Sequence, residues 1–173
     1  MTPSQPEAWL RGPLPGIALP LMPAAHALVQ AREDIAAAAD GTSEAELWHR
    51  PGGAASAGFH LRHLAGSLDR LYTYARGESL SPDQLAALRA ESEPGGGATA
   101  LVAGAAAAID RALDQLRRTP AESLGETRPV GRARLPATVL GLLAHGAEHT
   151  ARHTGQLITT LKVVRGLGPV HAA

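Results

Sequence analysis

Three histidines, His145, His149 and His153, recur at four-residue spacing in the run AHGAEHTARHTGQ. On an α-helix that spacing advances about 400°, so successive imidazoles sit one turn apart with about 40° of drift. Neutral imidazole nitrogen binds zinc, nickel and iron, at roughly 2.0–2.1 Å for zinc. A pair such as His149 and His153 can present two rings to one ion. A catalytic site usually adds a third protein ligand and keeps a position open for water or substrate. A second pair, His60 and His63, lies far upstream in GFHLRHLAGSLDRLYTYARG. One histidine of that pair would complete a triad, so the chemistry expected is that of a divalent metal held between two helices.

The surroundings favour a buried site over a solvated row. Val139, Leu140, Leu142 and Leu143 precede the histidines, and several buried imidazoles without a partner charge or metal would be costly. Gly155, in mid-helix, predicts close approach of another element or a ligand. Gln156 falls close to the histidine row and could orient a ligand or contact substrate. Glu148 is not placed as in H-E-x-x-H, where the glutamate lies between the ligands as a base; its offset of about 100° from His149 predicts a solvated role. Asp69-Arg70 and Asp110-Arg111 read as surface charges, and Arg62 points away from His63. His26 could face the site from the first helix, whereas His49 and His171 have no supporting context. Gly95-Gly96-Gly97 lacks the lysine and hydroxyl residue of a phosphate-binding loop.

Four long helices are predicted to carry these groups. The first spans about Pro20 to Ala39, with Leu21, Leu28 and Ile35 at helical spacing and Gly41 to stop it. A short turn from Thr42-Ser43-Glu44 carries Leu47 and Trp48, and Arg50-Pro51-Gly52-Gly53 reads as a loop. The second long helix runs from about Ser56 to Arg76, with Phe59, His63, Leu64, Leu68 and Leu71 on its face. Ser81-Pro82 opens a short extra helix to about Glu91, and Pro94 to Gly97 is a linker. Thr99 is the expected cap of a third long helix ending before Pro120. Residues 120–135 show little pattern. Pro136 suits the first turn of the last helix, which reaches about Arg165 before Gly166, Gly168 and Pro169. Residues 1–19, rich in Pro and Gly, read as an extended N-terminal arm, with Trp9 and Leu10 packing on the body. Residues 20–168 read as one all-α, four-helix-bundle domain, and facing helices of a bundle are a common place for a metal site.

The bulk numbers narrow the function classes. The 173 residues hold sixteen basic and sixteen acidic side chains, so no basic surface points to nucleic acid. Aromatics are only 3% of a chain that is 45% apolar, which suits alanine-rich helices. Cysteine is absent, so any thiol chemistry needs an external thiol. No apolar run of about 18 residues predicts a membrane span, and no secretory leader is evident; a cytoplasmic protein is expected.

The motifs His63-Leu64-Ala65-Gly66-Ser67 and His149-Thr150-Ala151-Arg152-His153-Thr154-Gly155-Gln156-Leu157 resemble those of the DinB/YfiT-like metalloenzyme superfamily. The resemblance runs through Leu47-Trp48 and Arg50-Pro51 and covers about residues 20–165. It implies a four-helix bundle, frequently a homodimer, with a three-histidine site for a divalent metal. Zinc or nickel is the first expectation, with iron or manganese as alternatives. Carried over residue by residue, the ligands are His63, His149 and His153. His60 would replace His63 or support it, and His145 would line the pocket or support a ligand. Relatives in the superfamily include thiol-dependent S-transferases and mycothiol-dependent isomerases. A cation at such a site lowers the pKa of a water or of a thiol. The resemblance therefore implies S-transferase-like or hydrolase-like chemistry on a small-molecule substrate, with a low-molecular-weight thiol as possible co-substrate. The rival expectation is a non-catalytic metal- or ligand-binding bundle.

Overall fold

The computed structural model of the chain describes residues 5–168; Pro169 and His171 lie outside them. Four long helices dominate: α1 (Met22–Ala39), α3 (Ala57–Ala75), α5 (Ala98–Arg118) and α6 (Val139–Gly166). The short α2 (Glu44–Trp48) and α4 (Pro82–Arg89) sit in the two connections between the first three. Around the bundle α6 packs on α1 and α3, and α5 packs on the same two helices. The protein is thus a mostly helical, four-helix bundle with an extra helix between its second and third long members.

Local chemistry sets the helix starts. Ser56 accepts from the Phe59 amide at 3.1 Å to open α3. Ser43 with Glu46, and Ser81 with Gln84, form reciprocal capping boxes on α2 and α4. Gln84 also donates to Asp69 (2.6 Å) and Thr73 (2.8 Å), which docks α4 on α3. Leu28 and Ile35, Leu61, Leu64 and Leu68, Ile109 and Leu116, and Leu143, Leu157 and Leu161 are fully buried between the long helices. Each such side chain contributes about 1.5–3 kcal/mol by leaving water.

Several expectations are corrected. α5 starts from Gly97, and Thr99 lies inside the helix. Residues 120–135 are not patternless: β1 (Thr127–Val130) and β2 (Leu135–Thr138) form an antiparallel hairpin that reaches into the expected start of the last helix. Pro136 therefore sits in a strand, opposite Pro129, and α6 begins three residues later. The reason is hydrogen bonding at the helix end. The Val139 and Leu140 amides donate to the carbonyls of Glu126 and Leu124, and Thr138 Oγ1 accepts from Gly141, so the first donors of α6 are satisfied. The N-terminal segment is tied to α1: Arg11 forms a bidentate pair with Glu33 at 2.6 Å, and Ala8 N–H donates to Gln30. Ala8 and Ile17 are its buried residues, whereas Trp9 and Leu10 are 62% and 59% exposed.

Helices α3 and α6 run antiparallel in close contact. Tyr72 donates its hydroxyl to the Leu143 carbonyl at 3.2 Å. A Cβ at Gly146 would lie 2.7 Å from Tyr72 Cε2 and 3.3 Å from Leu68 Cδ1. Gly155, by contrast, has nothing within 4 Å of that position, so the close approach belongs to the other glycine. Gly146→Ala gains about 1 kcal/mol of helix propensity, but overpacking of this kind costs about 1–3 kcal/mol. With Tyr72 fixed at its hydroxyl, the contact dominates, and a lower urea midpoint is expected in equilibrium denaturation; an unchanged or higher midpoint refutes the close-packing argument.

Candidate metal centre

One turn beyond the Gly146 contact the interior of α6 changes character. Its buried positions are Thr150 and Thr154, whose hydroxyls donate back to the carbonyls of Gly146 and Thr150 at 2.8 and 2.9 Å. These small side chains leave room for imidazoles from both helices. Along α3, His60 and His63 fall on the side facing α6, and the antiparallel pairing sets His63 beside His149 and His60 beside His153.

His63, His149 and His153, all half-buried, each offer one donor atom, and these atoms lie within 4.8 Å of one another. His63 Nε2 is 2.9 Å from His149 Nε2. That is less than twice a bond of roughly 2.0–2.1 Å, so the two nitrogens can share one cation. The His153 ring centroid is 4.5 Å from both of the other rings. A three-histidine group able to bind a metal ion is therefore in place.

The hydrogen bonds test whether a cation fits. His63 Nδ1 lies 2.7 Å from Glu91 Oε2. The carboxylate accepts, so Nδ1 carries the proton and Nε2 of the neutral ring is a lone pair. If His149 donates from Nε2 to that lone pair, its own Nδ1 is a lone pair. If Nδ1 carries the proton instead, two lone pairs face each other at 2.9 Å. In either case His149 Nδ1 is buried without a partner, which costs about 1–3 kcal/mol. Extra protons do not resolve the conflict. Burial pushes His149 below its ordinary pKa and His153 down to about 4, and a charge on any neighbouring imidazole would push the same way. A divalent cation takes up the two facing Nε2 lone pairs without adding a proton, so the donor set fits one, while His149 Nδ1 keeps no protein partner.

His60 is 5% exposed, and burial lowers its pKa, with His63 adding to the effect. Its Nδ1 lies 3.0 Å from His153 Nδ1. It therefore sits beside His153, outside the three histidines whose donor atoms converge. Phe59, the chain's one phenylalanine, stacks on His63 with centroids 5.1 Å apart and 12° between planes. It gives the cluster an aromatic wall.

The remaining candidates fall elsewhere. His145 is exposed, with Nδ1 3.3 Å from Glu148 Oε2, and is outside the converging group. Glu148 also accepts from Arg152, in keeping with a solvated face. Gln156 is exposed and makes no side-chain hydrogen bond among the described residues. His26 is turned to the Gly12 carbonyl at 2.9 Å and fastens the N-terminal segment. Arg62 points away as expected: it donates to the carbonyls of Ala90 and Gly95 and lies 4.9 Å over the Trp48 ring. Arg70 departs from its expected surface position, since it is buried and donates to Glu91 Oε1 at 2.7 Å.

Glu91 is the participant that sequence reasoning missed. It arrives from the turn after α4, and no helical spacing relates it to His63. The signal in the sequence was indirect: the Ser81–Gln84 box fixes where α4 starts and so where its last turn delivers position 91.

No helix of the described residues is long and apolar enough to cross a membrane. A family model described as the DinB superfamily matches residues 27–157, which includes every histidine of the cluster. No curated protein matches the chain.

Proposed function

The chain belongs to the DinB superfamily, and from that premise we propose that it is a divalent-metal-dependent enzyme that transfers a small-molecule thiol to an electrophile. The observation that carries the reading is the convergence of His63, His149 and His153 donor atoms within 4.8 Å. Zinc or nickel suits three neutral nitrogens. A cation held there supplies Lewis acidity and lowers the pKa of a water or thiol. His63, His149 and His153 carry no charge of their own when they bind, so the cation's full positive charge acts on the substrate.

Thiol transfer is favoured over hydrolysis by the acid–base groups nearby. Hydrolysis calls for a residue to relay protons from water and to the leaving group. Glu91 is committed to His63 and Arg70, His60 to His153, and Glu148 to Arg152. A thiol is acidic enough to ionise without such a base. The cysteine-free chain cannot compete with the substrate for the site. Phe59 offers the electrophile an apolar wall.

The test is to load the protein with zinc or nickel and incubate it with low-molecular-weight thiols and alkyl or epoxide electrophiles. Thioether formation that falls at least a hundredfold in His149→Ala is the expected result. Turnover of esters or amides without a thiol would make the protein a hydrolase. Stoichiometric metal with no turnover would leave the rival reading, a binding bundle. We also propose a homodimer; sedimentation velocity showing a lone protomer at micromolar concentration removes that assignment.

A further inference from the structure

Glu91 is 5% exposed, and among the described residues it is the buried carboxylate. Burying a carboxylate is unfavourable unless its oxygens are fully occupied. Here one oxygen accepts from His63 Nδ1–H and the other from the Arg70 guanidinium, both at 2.7 Å. His63, Gly66 and Arg70 are three and four residues apart and so lie on one stripe of α3. Glu91 seats itself across that stripe at its middle. A Cβ at Gly66 would stand 2.7 Å from Glu91 Oε1 and 2.8 Å from Arg70 Nη1. The helix thus gives up a side chain where the carboxylate must enter. Arg62 holds the segment that brings Glu91 in by donating to the carbonyls of Ala90 and Gly95.

A buried ion pair of this kind is a poor source of net stability. What it does supply is a fixed direction for one imidazole. We propose that Glu91 is a positioning residue for the metal centre: held by Arg70 over Gly66, it accepts a hydrogen bond from His63 Nδ1–H and so commits His63 Nε2, as a lone pair, to the cation. The proposal rests on the metal-binding reading of the histidine cluster. Partners that orient a ligating histidine in this way are worth roughly 10–100-fold in metal affinity.

The experiment measures Zn²⁺ affinity by competition with a chromogenic chelator, and the visible absorption of the Co²⁺-saturated protein, for wild type, Glu91→Gln and Gly66→Ala. Glutamine has one acceptor oxygen and cannot serve His63 and Arg70 together. Alanine at position 66 removes no polar group, raises helix propensity and forces the Glu91–Arg70 pair to shift off the stripe. Both variants should bind Zn²⁺ roughly 10–100-fold more weakly. Both should also show a shifted Co²⁺ band at saturation, which a purely structural role for Glu91 would not produce. If Glu91→Gln does not fold, Gly66→Ala carries the test. Wild-type affinity and an unshifted band in the folded variants overturn the proposal. Wild-type protein that fails to bind Zn²⁺ or Co²⁺ overturns the metal reading itself, a distinct outcome.

Discussion

Alanine at His149 or His153 is expected to abolish tight metal binding while leaving the bundle folded. Each side chain is half-buried and sits on the wall of the cluster, away from the leucine-rich core. Removing one of three donors leaves a pair of imidazoles, and the loss should exceed the roughly 10–100-fold that an outer partner is worth. His145→Ala is the matched control: it lies one turn away on the same helix, is exposed, and pairs with Glu148. Elemental analysis after tag-free purification should find metal in wild type and His145→Ala and little in the other two. Circular dichroism should show the same helix content in all four. Metal retained by His149→Ala and His153→Ala would remove the cluster as the binding site.

Acidification is expected to destabilise the metal-free protein well above the range where carboxylates protonate. Burial holds His60, His149 and His153 below their ordinary pKa, His153 at about 4. In the unfolded chain these rings titrate near ~6.5. Between the folded and unfolded values the unfolded chain binds a proton that the folded chain refuses, so stability falls as pH drops. It is fully present above about 6.5 and is lost progressively towards 4. For His153 alone, a fully desolvated ring would give ~3 kcal/mol. The ring is only half-buried, and solvent screening reduces this to about 1–2 kcal/mol. In a protein of this size that is roughly 2–8 °C in Tm.

The carboxylates with lowered pKa, such as Glu33 and Glu46, stabilise above about 4.5 and add to the loss only below it. Melting chelator-treated protein between pH 7.5 and 5 therefore isolates the histidines. His153→Gln should flatten the profile, and a slope unchanged by that substitution would disprove the assignment. Metal should be released over the same range, because each imidazole must be neutral to bind.

The sequence was most legible where a periodic pattern meets a local stop signal. Serines at 43, 56 and 81 begin α2, α3 and α4 because their side chains accept from amides within the next turn, an effect local enough to read from spacing. The row at 145, 149 and 153 was legible for the same reason, since four-residue spacing fixes a face, whereas the family resemblance singled out His63 over His60. The hairpin was not, because Pro129 and Pro136 both argue against a strand; they are tolerated as facing partners in a two-stranded ribbon. Gly146 and Gly155 look equivalent in sequence, and the presence of Tyr72 and Leu68 across the interface separates them. Arg70 reads as a surface charge until a carboxylate from another element meets it in the interior. Glu91 was illegible at source, since its role depends on where α4 docks on α3.

The pairing of α3 with α6 has a consequence for a chain that lacks cysteine. His63 and His149 are 86 residues apart in sequence, yet their nitrogens lie 2.9 Å apart. An ion shared by them would act as a reversible staple closing half the polypeptide into a ring. Such a tether restricts the denatured ensemble much as a disulfide does, yet it can be undone by a chelator without any reductant.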